Sequence, residues 1–176
     1  MTQPSPTPTR RAGRGRAEDG SLITWSVAEG RRGSRWREVR ATDGVVVSSL
    51  LLELDPDGRF SHLELSTGAG LLTLHPEGDG TLHGNAVEAN GVRHVQGVAW
   101  SADRSLLVAG SPIARAAAAR RGRSLPHGAA RAGVIVGLDL SLEARALGAA
   151  DLGIELDADG LPALAGGDSW RLELDR

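Results

Sequence analysis

The 176-residue chain contains no cysteine, no lysine and no tyrosine, and its aromatic complement is four tryptophans and one phenylalanine. Without cysteine there is no disulfide scaffold, no thiolate nucleophile and no Cys-ligated zinc or iron–sulfur site. Without lysine there is no Schiff-base chemistry. All 20 basic residues are arginines, set against 22 acids for a formal net charge of −2. No stretch approaches the roughly 20 apolar residues of a membrane helix or the roughly 7–15 of a signal-peptide core, so a cytoplasmic location is the expectation. The length suits one domain, large enough to bury a core without covalent staples.

Residues 1–20 carry Pro, Gly, Ser, Thr and Arg with almost no apolar residue, a composition that reads as a disordered basic tail. From residue 21 to 176 the chain reads as β-rich. Short runs of Val, Leu and Trp are separated by turn chemistry at the spacing of a roll or barrel. Asp55-Pro56-Asp57-Gly58, Gly78-Asp79-Gly80 and Asp157-Ala158-Asp159-Gly160 supply a preset φ or a glycine at each reversal. Asn90-Gly91 is the pair favoured by a type I′ hairpin turn. Hairpin after hairpin predicts an antiparallel meander, not a parallel sheet with helices between strands.

One helix interrupts the pattern, predicted over about 112–121. Ser111 can cap it, Pro112 suits its first position, Ala114 and Ala116–Ala119 favour it, and Arg120 and Arg121 sit at its negative end, with Gly122 as a stop. So short a helix must lean on the sheet through Ile113 and its alanine face.

Few constellations could carry chemistry. Alternation from Val92 to Trp100 places Val92, His94, Gln96, Val98 and Trp100 on one face, the mixed lining expected of a ligand wall. His62, His75, His83 and His94 fall on four successive strands, but no HxH or HExxH pairing fixes a metal geometry. No GxSxG turn presents a serine, and the glycine pairs lack a following helix to make a phosphate cradle. No cofactor or metal is expected, and an enzyme is the weaker class. Between Arg104 and Leu138 stand six arginines and no acid, with Arg120, Arg121 and Arg123 at the helix end where a forked contact to an acidic head group is possible. That stretch holds no aromatic for base stacking, which makes nucleic acid the weaker partner.

The order of parts resembles the glycolipid-binding family of bacterial cytoplasmic β-roll proteins. Carrying the resemblance are Trp25 in ITWSVAEG, the LLTLHPEGDGTLHGN hairpin, SPIARAAAARR, IELDADGLPAL and the closing SWRLEL, over about residues 22–174. It implies a curled antiparallel sheet shaped like a lipoprotein carrier. Together these readings predict a mainly β domain, a single antiparallel β-roll or partly closed barrel with one short helix. The expected function is non-catalytic binding of a small amphipathic ligand, a lipid or glycolipid, in the concave face. Its apolar part would meet Trp100 and aliphatic residues, and its head His94, Gln96 and Arg120 or Arg121. The alternatives are a structural or protein-interaction module with a filled core, or nucleic-acid binding through the tail and residues 104–138.

Overall fold

The computed structural model describes residues 9–17, 19–122, 131–154, 156, 158, 160 and 170–173. Eight consecutive strands come first: β1 (Thr9–Arg16), β2 (Leu22–Gly30), β3 (Gly33–Thr42), β4 (Val45–Leu54), β5 (Phe60–Thr67), β6 (Gly70–Pro76), β7 (Thr81–Glu88) and β8 (Gly91–Ala99). Then follow β9 (Ser105–Val108), α1 (Pro112–Gly122), β10 (Arg131–Val136), β11 (Leu142–Leu147), the single turn α2 (Ala149–Leu152) and β12 (Trp170–Glu173). Among the described residues the first eight strands and β12 form one antiparallel sheet in the order β12-β1-β2-β3-β4-β5-β6-β7-β8, and the other three form a small sheet, β11-β10-β9. The protein is mainly β, as the sequence predicts. The large sheet is open, with β12 and β8 as its edges.

Period-two alternation decides which face is inside. Trp25 and Val27, Trp36, Leu50 and Leu52, Leu63 and Leu65, Leu72 and Leu74 all point inward and are buried. Over them lie α1 and the small sheet, whose Leu106, Val108, Ile113, Ala117, Val134 and Val136 join the same core. The inner face of the sheet is thus covered by the protein's own chain. Leu107, Ala118 and Leu147 make a second small cluster on the far side of β9, so that strand is buried on both faces.

The helix begins where its sequence says. Ser111 Oγ accepts a hydrogen bond from the Ala114 N–H at 3.1 Å, and α1 runs one residue further than expected, through Gly122. Ile113, Ala114, Ala116, Ala117 and Ala118 are all buried, more than one stripe of the helix surface. A helix clasped between two sheets needs small side chains on nearly every side, which accounts for its alanines.

Three expectations are corrected. Residues 1–8 lie outside the described residues, but part of the stretch read as a tail belongs to the sheet, because Thr9–Arg16 pairs with β2 along its whole length. Its glycines are the reason: Gly13 lies opposite Trp25, and a methyl group built on it would sit 2.5 Å from Trp25 Cζ2. The indole fills the space that an inward side chain of β1 would need. Second, the chain is not antiparallel throughout. β9 and β10 pair in parallel, from Gly133 opposite Ser105 to Val136 opposite Val108, and α1 lies in the crossover that parallel strands require. Third, Glu88 pairs with Gly91, so the β7–β8 turn centres on Ala89-Asn90. Positive φ at both central positions belongs instead to Asp43 (51°) and Gly44 (77°) between β3 and β4. The Asp157–Gly160 turn lies largely outside the described residues.

Candidate functional site

The mixed face expected of residues 92–100 does not form. Leu82 pairs with Val98 but Gly84 with Val95, so β8 carries an extra residue there, and Gly97 takes a φ of 77°. This bulge reverses the alternation. Val92, His94 and Gln96 are exposed on the outer face, whereas Val95 and Trp100 are buried. Trp100 meets Phe60 edge to face, ring centroids 5.3 Å apart, inside the core. The Nδ1–H of His94 donates to Asn85 Oδ1 at 2.7 Å. His94 and Gln96 therefore share no surface with Trp100.

The other three histidines among the described residues are also on the outer face, each beside an acid: His62 by Glu64 at 3.1 Å, His75 by Glu77 at 3.0 Å and His83 by Asp79 at 3.4 Å. Among the described residues no group of three or more His, Asp or Glu is placed to hold a metal ion. Nor, among them, does a serine or threonine hydroxyl bond to a histidine. Ser21, Thr81, Ser101 and Ser141 instead bond to aspartates two residues away in turns.

Arg120 and Arg121 do meet a concavity. A cleft of about 430 Å³ lies between the β2–β3 turn, the β4–β5 turn and the last turn of α1. Arg120 stacks over the Trp36 ring, 6.0 Å from its centroid, and pairs with Glu29, while Arg121 donates to the Ala102 carbonyl. Arg104 likewise donates to the Ala99 carbonyl at 2.8 Å. Much of the arginine run is thus spent on internal acceptors. Arg123 lies outside the described residues.

Among the described residues one carboxylate is buried. Glu38, on β3, accepts from Ser111 Oγ at 2.7 Å and from the Ile113 N–H at 3.3 Å, so it completes the N-terminal cap of α1. Arg40, two residues on, donates to the Gly110 carbonyl at 2.6 Å and approaches Asp19 at 3.6 Å. Burial pushes the Glu38 carboxyl above its ordinary value of 4.5, against the opposing pull of the Ser111 and Ile113 hydrogen bonds and the Arg40 charge. The folded protein therefore holds this proton more tightly than the unfolded chain does. The contribution is fullest below pH 4.5 and declines as pH rises through the raised value. Thermal melts of the wild type and Glu38→Gln across this range should show the melting temperature of the variant gaining on that of the wild type as pH increases. A pH-independent difference would contradict this.

A second assembly was not legible in the chain. On the outer face β1 presents Arg10, Arg14 and Arg16, and β3 presents Arg35 and Arg37. Arg10 and Arg14 belong to the stretch read as tail, and only the sheet brings them beside β3. The available signal was the alternation of Arg10, Ala12, Arg14 and Arg16, itself a strand pattern. No protein-family model, curated protein or solved structure matches the chain.

Proposed function

We propose that this protein is a non-catalytic interaction module, an open sheet that uses its outer face to meet a partner. The carrying observation is the covering of the inner face by α1 and the small sheet, which occupies the concavity where a roll would hold a lipid. Outside, Val45, Val46 and Val47 are exposed in sequence, the first by 66%, alongside Val39 and the arginines of β1 and β3. Three consecutive exposed valines form an apolar patch that suits a contact surface.

A second reading, binding of a small amphipathic ligand with an acidic head, draws on the cleft at Arg120 and Arg121. Its volume of about 430 Å³ falls in the range of ligand pockets, roughly 300–1,000 Å³. Native mass spectrometry after gentle purification separates the two. The interaction-module reading expects the mass of the bare chain. A stoichiometric lipid-like adduct, lost on solvent extraction, would overturn it in favour of the ligand reading.

A further inference from the structure

The register of the first three strands builds a trough. Across β2, Arg10 pairs with Ala28 and Ala28 with Arg35; Ala12 pairs with Ser26 and Ser26 with Arg37; Arg14 pairs with Thr24. Long cationic side chains of β3 thus stand beside Ser26 and Ala28 and those of β1 beside Thr24 and Ala28, with Val39 on the β3 side of Thr24. Two interstrand spacings set the walls roughly 10 Å apart. At the Ala28 end the trough opens into a cleft of about 570 Å³, where Arg31 and Arg32 of the β2–β3 turn join Arg10 and Arg35.

Seven arginines (10, 14, 16, 31, 32, 35 and 37) gather there in a chain whose net charge is −2. Among the described residues the acids nearby include Glu29, which pairs with Arg120, Glu53, which pairs with Arg35, and Glu173, which the register sets opposite Ala12. Arg10, Arg32 and Arg37 make no ion pair or hydrogen bond among the described residues. Guanidinium groups held without internal acceptors on an exposed surface are poised for forked contacts to oxyanions.

We propose that this trough binds the phosphodiester backbone of nucleic acid, with one strand lying along β2. The charges are strung over about 20 Å of β1 and do not converge on one point, which suits a linear polyanion better than a single phosphate. The trough width admits one backbone. Among the described residues its floor and walls hold no aromatic, so bases are not stacked, and the binding is independent of sequence and steeply dependent on salt. A lipid surface fits less well. The exposed apolar side chains Leu22, Val39 and Val45–Val47 lie toward the other end of the strands, where Leu22 pairs with Arg16 and Val39 stands across Thr24 from Arg14, and away from Arg10, Arg31, Arg32 and Arg35. The proposal rests on the interaction-module reading and names its partner.

The test is fluorescence anisotropy of the full chain with labelled single- and double-stranded oligonucleotides of mixed sequence. With about five phosphates neutralised on a single strand, affinity should fall roughly 100-fold between about 50 and 200 mM salt. The double variant Arg10→Gln/Arg37→Gln removes two side chains without internal partners and should melt like the wild type. It should bind at least about tenfold more weakly at low salt, with a salt slope reduced by about 1–2. Arg59→Gln, at the β4–β5 turn, should bind as the wild type does. Tighter binding of the single strand supports one backbone in the trough, and equal or tighter binding of the duplex overturns that geometry. The proposal fails if the wild type binds neither oligonucleotide at low salt, if the double variant binds as well as the wild type, or if anionic vesicles are bound in preference. Those results leave the interaction-module reading standing, because that reading is decided by the mass of the native protein.

Discussion

Truncation of Trp36 to alanine is expected to destabilise the fold by about 3–5 kcal/mol. The side chain is wholly buried on β3, between Val27 of β2 and Leu52 of β4 in register, and both of these are core residues. Its indole N–H donates to Ser34 Oγ at 2.8 Å, and the Arg120 guanidinium lies over the ring. Alanine leaves a cavity between three strands and withdraws the surface on which the last turn of α1 rests. For a chain of this size the melting temperature should drop by roughly 10–15 °C. Chemical denaturation of the two proteins measures the difference directly. A loss below about 1 kcal/mol would mean that this end of the core is not packed as described.

Gly84→Ala is expected to cost nearly as much, about 3 kcal/mol, although it adds one methyl group. Gly84 lies on the inner face of β7, opposite Leu74 of β6, and a Cβ placed there would collide with the carbonyl oxygen of the preceding residue, Thr73. The obstacle is backbone inside a ladder, so no side chain can turn aside, and β6 and β7 must separate at the point where β8 bulges. Gly78→Ala is the matched control. Nothing lies within 4 Å of a Cβ at Gly78, and its substitution should be almost neutral. Similar melting temperatures for the two variants would count against the close approach of β6 and β7.

These two positions mark where the sequence could and could not be read. The turn at Asp55–Gly58 and the helix start at Ser111 depend on a few neighbouring residues, and their chemistry is written locally: Asp55 Oδ1 receives the N–H groups of Asp57 and Arg59 at 2.9 and 2.8 Å. Gly84 and Gly97 look like any other glycine until a neighbouring strand is present. The bulge at Gly97 moved Trp100 to the face opposite His94, and a period-two count has no means of registering an inserted residue. β1 was hidden for a related reason. Its inward positions are Arg11, Gly13 and Gly15, and its apolar contact is supplied by Trp25 of another strand. The parallel pair β9–β10 had left a trace, two short apolar runs on either side of an alanine helix, which is the pattern of strands buried on both faces. For the candidate site, Arg120 and Arg121 were placed at a cleft, but the charge gathered on the outer face depends on pairings between β1, β2 and β3.

The pairing of β1 with β12 sets Ala12 opposite Glu173, residues about 160 positions apart, whereas β2 to β8 join through successive short turns. Closing so distant a contact is entropically slow, so the meander can zip up while one side of β1 still awaits its last neighbour. During synthesis that side stands open until β12 has been made. An unpaired strand invites a second copy to add to it, and charge along the strand opposes this. The arginines of β1 place such charge on that margin for the interval in which it is vacant.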